Sequence, residues 1–125
     1  MKRKVFLVDD EELISSLINE FLEDQYDVQC FVSGEACLEA LTAENPDAII
    51  LDAHMPGMDG LATCEAVRKR NEKLPIVLMS ANESEFERNL ALRAGAQHYL
   101  GKPVRGQELM STLKRLVPEA ASRFM

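Results

Sequence analysis

Val5-Phe6-Leu7-Val8-Asp9-Asp10-Glu11-Glu12-Leu13-Ile14-Ser15-Ser16-Leu17-Ile18-Asn19-Glu20-Phe21 changes its hydrophobic period in mid-course, and that change decides the fold. Its first four residues are apolar without polar alternation, the pattern of a strand covered on both faces, as in a parallel sheet under helices. From Glu11 the period becomes helical, with Ile14, Leu17, Ile18 and Phe21 on one side and Glu20, Glu23 and Asp24 toward water. Asp9 and Asp10 stand at the junction, and carboxylates at the end of a buried strand are costly unless something compensates them.

The strand-then-helix unit recurs along the chain. Val28-Gln29-Cys30-Phe31 leads to a helix capped by Ser33 and carrying Ala36, Cys37, Ala40 and Leu41. Asn45-Pro46-Asp47 turns into Ala48-Ile49-Ile50-Leu51, the most buried-looking strand and therefore the central one. After Pro56-Gly57, where proline fixes one dihedral and glycine allows another, Asp59 caps a helix to about Arg70. Pro75 opens Ile76-Val77-Leu78-Met79, and Ser84 with Glu87 reads as a capping box for a helix carrying Phe86, Leu90 and Ala94, stopped by Gly95. A short strand from Gln97 to Leu100 precedes a last helix with Leu109, Leu113, Leu116 and Val117 on one stripe, ended by Pro118. Five strands alternating with five helices, joined by crossovers, predict a doubly wound α/β domain with a five-stranded parallel sheet.

A chain of 125 residues fits one domain, which at this size buries roughly two-thirds of its unfolded surface. Its 21 acids against 14 bases, a formal charge of −7 with no basic cluster, exclude direct nucleic-acid binding as the primary role. No apolar stretch is long enough to span a bilayer, and the run after Met1-Lys2-Arg3-Lys4 is too short for a signal peptide, so a cytoplasmic location without membrane attachment is expected. Cys30, Cys37 and Cys64 lack zinc-site spacing and read as reduced, mostly buried thiols. His98 reads as a surface or packing residue.

Ligands of open α/β sheets bind beyond the carboxyl ends of the strands. Asp9, Asp10, Asp52, Ser80 and Lys102 all fall at or just after such ends. Singly each has an ordinary reading: a helix cap for Asp9 or Asp10, a turn hydroxyl for Ser80, a solvated cation for Lys102. Together they predict one charged pocket. Two carboxylates 4 Å apart repel by about 4 kcal/mol at an effective dielectric near 20, so three need cationic compensation. Lys102 neutralises one charge and a hard divalent ion such as Mg2+ two more, which makes phosphoryl transfer the economical chemistry. Asp52, alone on the central strand, is the better nucleophile, while Asp9 and Asp10 are adjacent and suit a metal with its waters. Lys102 and Ser80 would stabilise phosphoryl oxygens.

Asp9-Asp10, Asp52, Ser80 and Lys102-Pro103, together with Met55-Pro56-Gly57-Met58-Asp59-Gly60, closely resemble the receiver domain of bacterial two-component response regulators, from Lys4 to about Val117. The resemblance implies a flavodoxin-like (βα)5 fold with strand order 2-1-3-4-5, occupying residues 1–118, with 119–125 a C-terminal tail or a truncated linker. It implies that Asp52 is the phospho-acceptor, that Asp9 and Asp10 hold Mg2+ with the backbone carbonyl of His54 as a further ligand, that Lys102 pairs with the phosphoryl group, and that Lys102-Pro103 is cis. Ser80 and Tyr99 match the family's switch pair, and His54 and Asn82 the positions that set phosphoryl lifetime. His54 is read as controlling access of water, not as a base, and Gly101 as giving backbone freedom beside Lys102.

The implied partners are a sensor histidine kinase or a histidine phosphotransfer protein upstream. Downstream, a target or effector domain would meet the face of the fourth helix, fifth strand and fifth helix. That face is also where activation-dependent homodimers form, and Phe86, Leu90 and Leu109 are candidate contacts or core residues. The implied activity is confined to self-phosphorylation and slow self-dephosphorylation. Two forms of this reading stay open: a stand-alone receiver, or one excised from a larger regulator or hybrid kinase with an effector domain. A haloacid-dehalogenase-type phosphatase is disfavoured because Asp52-Ala53-His54 lacks that family's second Asp. A flavin carrier is disfavoured because Asp9-Asp10-Glu11-Glu12 would repel the cofactor's phosphate.

Overall fold

A computed structural model describes residues 2–117, so Met1, the Pro118 helix stop and the 119–125 tail lie outside the described residues. The elements alternate strictly: β1 (Arg3–Val8), α1 (Glu12–Leu22), β2 (Tyr26–Phe31), α2 (Gly34–Ala40), β3 (Ala48–Asp52), α3 (Gly60–Arg70), β4 (Ile76–Ser80), α4 (Glu85–Ala94), β5 (His98–Gly101) and α5 (Gly106–Leu116). All strand pairs are parallel, in the order β2-β1-β3-β4-β5. The doubly wound fold and its strand order are therefore as expected. No described helix is long and apolar enough to cross a membrane.

The unalternating apolar strands are explained by two cores. Phe6 and Val8 of β1, with Ile49 and Leu51 of β3, join Cys37, Cys64, Val67 and Ala91 on the side of α2, α3 and α4. Val5, Leu7, Ile50, Val77 and Met79 point to the other side, where Ile18, Leu22, Leu109 and Leu113 of α1 and α5 cover them. Every residue of β3 is buried, as expected of a central strand with helices above and below.

Several side-chain assignments need correction. On α1 the sheet-facing residues are Ser15, Ile18 and Leu22, whereas Leu17 and Phe21 are exposed. The apolar stripe is wider than the sheet contact and part of it turns toward the start of α5, where a Cβ on Gly106 would come within 2.4 Å of the Phe21 ring. Phe86 is 71% exposed and so does not belong to the core, while Leu109 is buried and Leu90 half-buried. Cys37 and Cys64 are buried, and burial pushes both thiols up to about 11, but Cys30 is exposed on the edge strand β2.

Three caps agree with the sequence. Ser33 Oγ accepts from Ala36 N–H, Asp59 Oδ1 from Ala62 N–H, and Ser84 Oγ from Glu87 N–H. The reciprocal half of the Ser84–Glu87 box is not formed, because Ser84 N–H donates instead to Asn82 Oδ1 at 2.9 Å. Glu87 is thereby left for a different partner.

Candidate functional site

The register of the sheet brings the ends of β1, β3 and β4 to one rim. Val8 pairs with Leu51 and Asp52 with Met79, so Asp9 follows β1 beside the last residue of β3, and Ser80 ends the neighbouring β4. Asp9 is fully buried, Asp52 is 3% exposed and Asp10 is exposed. One carboxylate oxygen from each of the three lies within 4.8 Å of the others. The β3–α3 loop is held close beneath them: Gly60 N–H donates to Ala53 carbonyl at 2.9 Å, and a Cβ at Gly60 would lie 2.0 Å from Asp52 carbonyl oxygen. Only glycine permits that approach. Earlier in the same loop Gly57 has φ +74°, the left-handed conformation that the Pro56-Gly57 pair predicts.

Lys102 enters from the end of β5. Its Nζ lies 3.2 Å from Asp9 Oδ2, 3.2 Å from Asp52 Oδ2 and 3.7 Å from Glu11 Oε1. Its backbone is fixed by donation from Lys102 N–H to Ser80 carbonyl at 2.8 Å, and the following bond to Pro103 is cis, as the resemblance implies. Gly101, by contrast, has no left-handed φ. A Cβ there would meet only the end of the exposed Glu83 side chain, 2.3 Å away, which can swing aside.

Burial and the neighbouring Asp9 raise the pKa of Asp52 above the ordinary carboxyl value, against the opposing pull of Lys102 and of His54 N–H, which donates to Asp52 Oδ1 at 3.3 Å. Burial lowers the pKa of Lys102, but Asp52 and Asp9 outweigh it, and the net shift is upward. Lys102 is therefore charged at any ordinary pH, and the carboxylates still outnumber it. The donors are oxygen only and carry excess negative charge, so the cluster is capable of coordinating a hard divalent cation.

The other predicted residues form a second arrangement next to this one. Ser80 is buried and its Oγ accepts from Asn82 N–H at 3.0 Å. Tyr99 is buried with its ring turned inward, its hydroxyl donating to Asn82 carbonyl and Arg88 stacked 5.1 Å from the ring centroid. Asn82 spends its side-chain oxygen on Ser84 N–H. The His54 ring is half exposed and runs to Glu87, with Nε2 2.8 Å from Oε1. The sequence signal at Glu87 was read only as a cap, and nothing in the local pattern marks Glu11 or Arg88 as neighbours of the site.

A model of the response regulator receiver domain family matches residues 5–114. The chain belongs to that family. Among solved structures, this receiver domain is similar to a protein described as a response regulator from Chloroflexus aurantiacus, at 31% identity over 93% of this chain and 98% of that one, with a TM-score of 0.88. It is similar also to the chemotaxis protein CheY4 of Vibrio cholerae, at 29% identity over 94% and 100% of the two chains, TM-score 0.89. A third similar structure, at 27% identity over 93% and 98%, TM-score 0.85, is the receiver domain of a sensor histidine kinase of Pseudomonas aeruginosa with a magnesium ion coordinated in the active site cleft. The receiver fold and its Asp9, Asp10 and Asp52 cluster make this a phospho-accepting domain of a type found in response regulators and in sensor histidine kinases.

Proposed function

We propose that Asp52 accepts a phosphoryl group from the phosphohistidine of a sensor histidine kinase or a histidine phosphotransfer protein, and that the domain later hydrolyses it. The observation that carries this reading is the position of Lys102 Nζ, 3.2 Å from both Asp52 and Asp9 within the acidic cluster. An Asp52 oxygen attacks phosphorus as the phosphorus–nitrogen bond breaks, and the leaving imidazole takes up a proton. Lys102 offsets the negative charge that the transferred oxygens bring into the pocket. In the second step of the cycle, water attacks phosphorus, the bond to Asp52 breaks, and inorganic phosphate leaves with the proton passing to solvent.

Bound to Asp9, Asp10 and Asp52, with the His54 backbone carbonyl as a further donor, Mg2+ would supply the remaining positive charge that the phosphoryl oxygens require. We assign Ser80 and Tyr99 the switch role. A phosphoryl group on Asp52 adds charge beside Ser80, and a shift of Ser80 Oγ toward it gives up the bond from Asn82 N–H, the residue whose carbonyl holds Tyr99. His54 and Asn82 then set phosphoryl lifetime, His54 by limiting water.

The output surface in this reading is α4, β5 and α5, in the cytoplasm. A cleft of about 460 Å³ on this face, lined by Glu83, Arg88, His98, Arg105 and Glu108, supports it. Exposed Phe86 is the apolar contact for an activation-dependent homodimer, and size-exclusion mass unchanged by phosphorylation would remove that part. The main reading is tested by incubating the protein with a small acyl phosphate and Mg2+ and measuring intact mass. Gain of one phosphoryl group, blocked by a chelator, is expected; no gain overturns it.

A further inference from the structure

We propose that Glu87 is a positioning residue for the chemistry at Asp52: its carboxylate holds the His54 ring across the rim between the ends of β3 and β4, restricting the approach of water to the phosphorylated acceptor. The inference rests on Asp52 being the acceptor and adds a residue that neither the acidic cluster nor the switch pair contains. His54 stands two residues past Asp52, and Glu87 lies in the first turn of α4, which follows β4. Because β3 and β4 are hydrogen-bonded neighbours, a contact from one loop to the other helix must bridge the rim where Asp52 and Ser80 end their strands.

The two partners are unequal. The Glu87 side chain is 13% exposed and the His54 side chain 55%, so the carboxylate is the fixed member and the ring the one held. Glu87 is itself anchored: its N–H donates to Ser84 Oγ at 3.2 Å, Ser84 N–H donates to Asn82 Oδ1 at 2.9 Å, and Asn82 N–H donates to Ser80 Oγ at 3.0 Å. The competing role, a capping-box carboxylate on Ser84 N–H, is already taken by Asn82. What remains for Glu87 is the 2.8 Å contact with His54 Nε2. With that contact as a fourth link, the three bonds connect the ring to the switch hydroxyl, so ring position and Ser80 position are linked through the start of α4.

The test is the decay of phosphoryl-Asp52 in the full chain, followed by intact mass after removal of the phosphodonor. Glu87→Ala should shorten the lifetime by about twofold to fivefold, the range of an exposed hydrogen-bonded pair. Glu87→Gln, which keeps an oxygen to accept from Nε2, should restore most of it. His54→Ala should accelerate decay as well, and adding Glu87→Ala to it should change nothing further. A purely structural role would alter thermal stability in Glu87→Ala without this pattern of rescue and non-additivity. Wild-type decay in Glu87→Ala, equal decay in the Ala and Gln variants, or multiplying effects in the double variant would each overturn the proposal while leaving Asp52 as acceptor. Failure of the wild-type chain to gain a phosphoryl group would overturn both.

Discussion

The two halves of the functional rim are held by different forces. At the ends of β1 and β3, buried Asp9 and Asp52 are bound to Lys102 by charge, with no neutral intermediary. At the ends of β4 and β5, Ser80, Asn82, Ser84 and Tyr99 are joined by hydrogen bonds between uncharged groups, and charge enters from outside that chain, through the His54–Glu87 contact and through Arg88 over the Tyr99 ring. Buried charges resist rearrangement because moving one leaves another uncompensated, whereas neutral hydrogen bonds exchange partners at little net cost. The contrast suits a device whose chemistry must be fixed and whose output must move.

Breaking the charged half should give the largest effects. Lys102→Met removes the lone ammonium among the three carboxylates and should slow phosphorylation by about 100-fold, measured as the initial rate with a small acyl phosphate. Ser80→Ala belongs to the hydrogen-bonded half and should slow it by about tenfold or less, while abolishing the change in Tyr99 fluorescence or chemical shift on phosphorylation. A smaller effect sharpens the comparison further. Asp52→Asn relieves crowding among the carboxylates, so without divalent ions its thermal midpoint should lie a few degrees above that of the wild type. A lower midpoint would mean that the charges at this rim are already balanced.

The smallest expected effect lies away from the rim, at His98, the first residue of β5. Burial, Arg115 and Arg88 lower the pKa of His98 below the ordinary 6.5, with Glu108 opposing. The unfolded chain then takes up this proton first as pH falls, so the contribution is present above 6.5 and is lost as pH drops through it toward the folded value. Urea midpoints compared at about pH 7.5 and about pH 5.5 should fall more in wild type than in His98→Gln.

The same division governs what could be read in the sequence. The charged half was legible because Asp9, Asp10, Asp52 and Lys102 each interrupt or follow an apolar strand, and parallel topology sends all strand ends to one side. The two-sided burial of β1 and β3 was legible for the same reason, as unbroken apolar runs. The hydrogen-bonded half was legible in its residue types but not its connections. Glu87 carries the spacing of a capping box with Ser84, yet Asn82 takes the Ser84 N–H first and leaves Glu87 to His54, 33 residues away. Helix faces were least legible: on α1 the apolar stripe runs from Ile14 to Phe21, wider than the sheet needs, and periodicity does not choose which part is buried, since Ile18 is buried while Leu17 and Phe21 are exposed. For Phe86 the helical period leaves surface contact and core equally open; on α4 the small Ala91 and Ala94 are the buried residues and the large ring stays outside.

The division of labour within the acidic cluster is tested most directly by locating the phosphoryl group. Protein treated with acyl phosphate and Mg2+ is reduced with borohydride, which converts a phosphorylated aspartyl residue to homoserine, and is then sequenced by tandem mass spectrometry. Conversion at Asp52 alone is predicted. Conversion at Asp9 or Asp10, or an unreduced phosphate found on Ser80, would contradict the assignment.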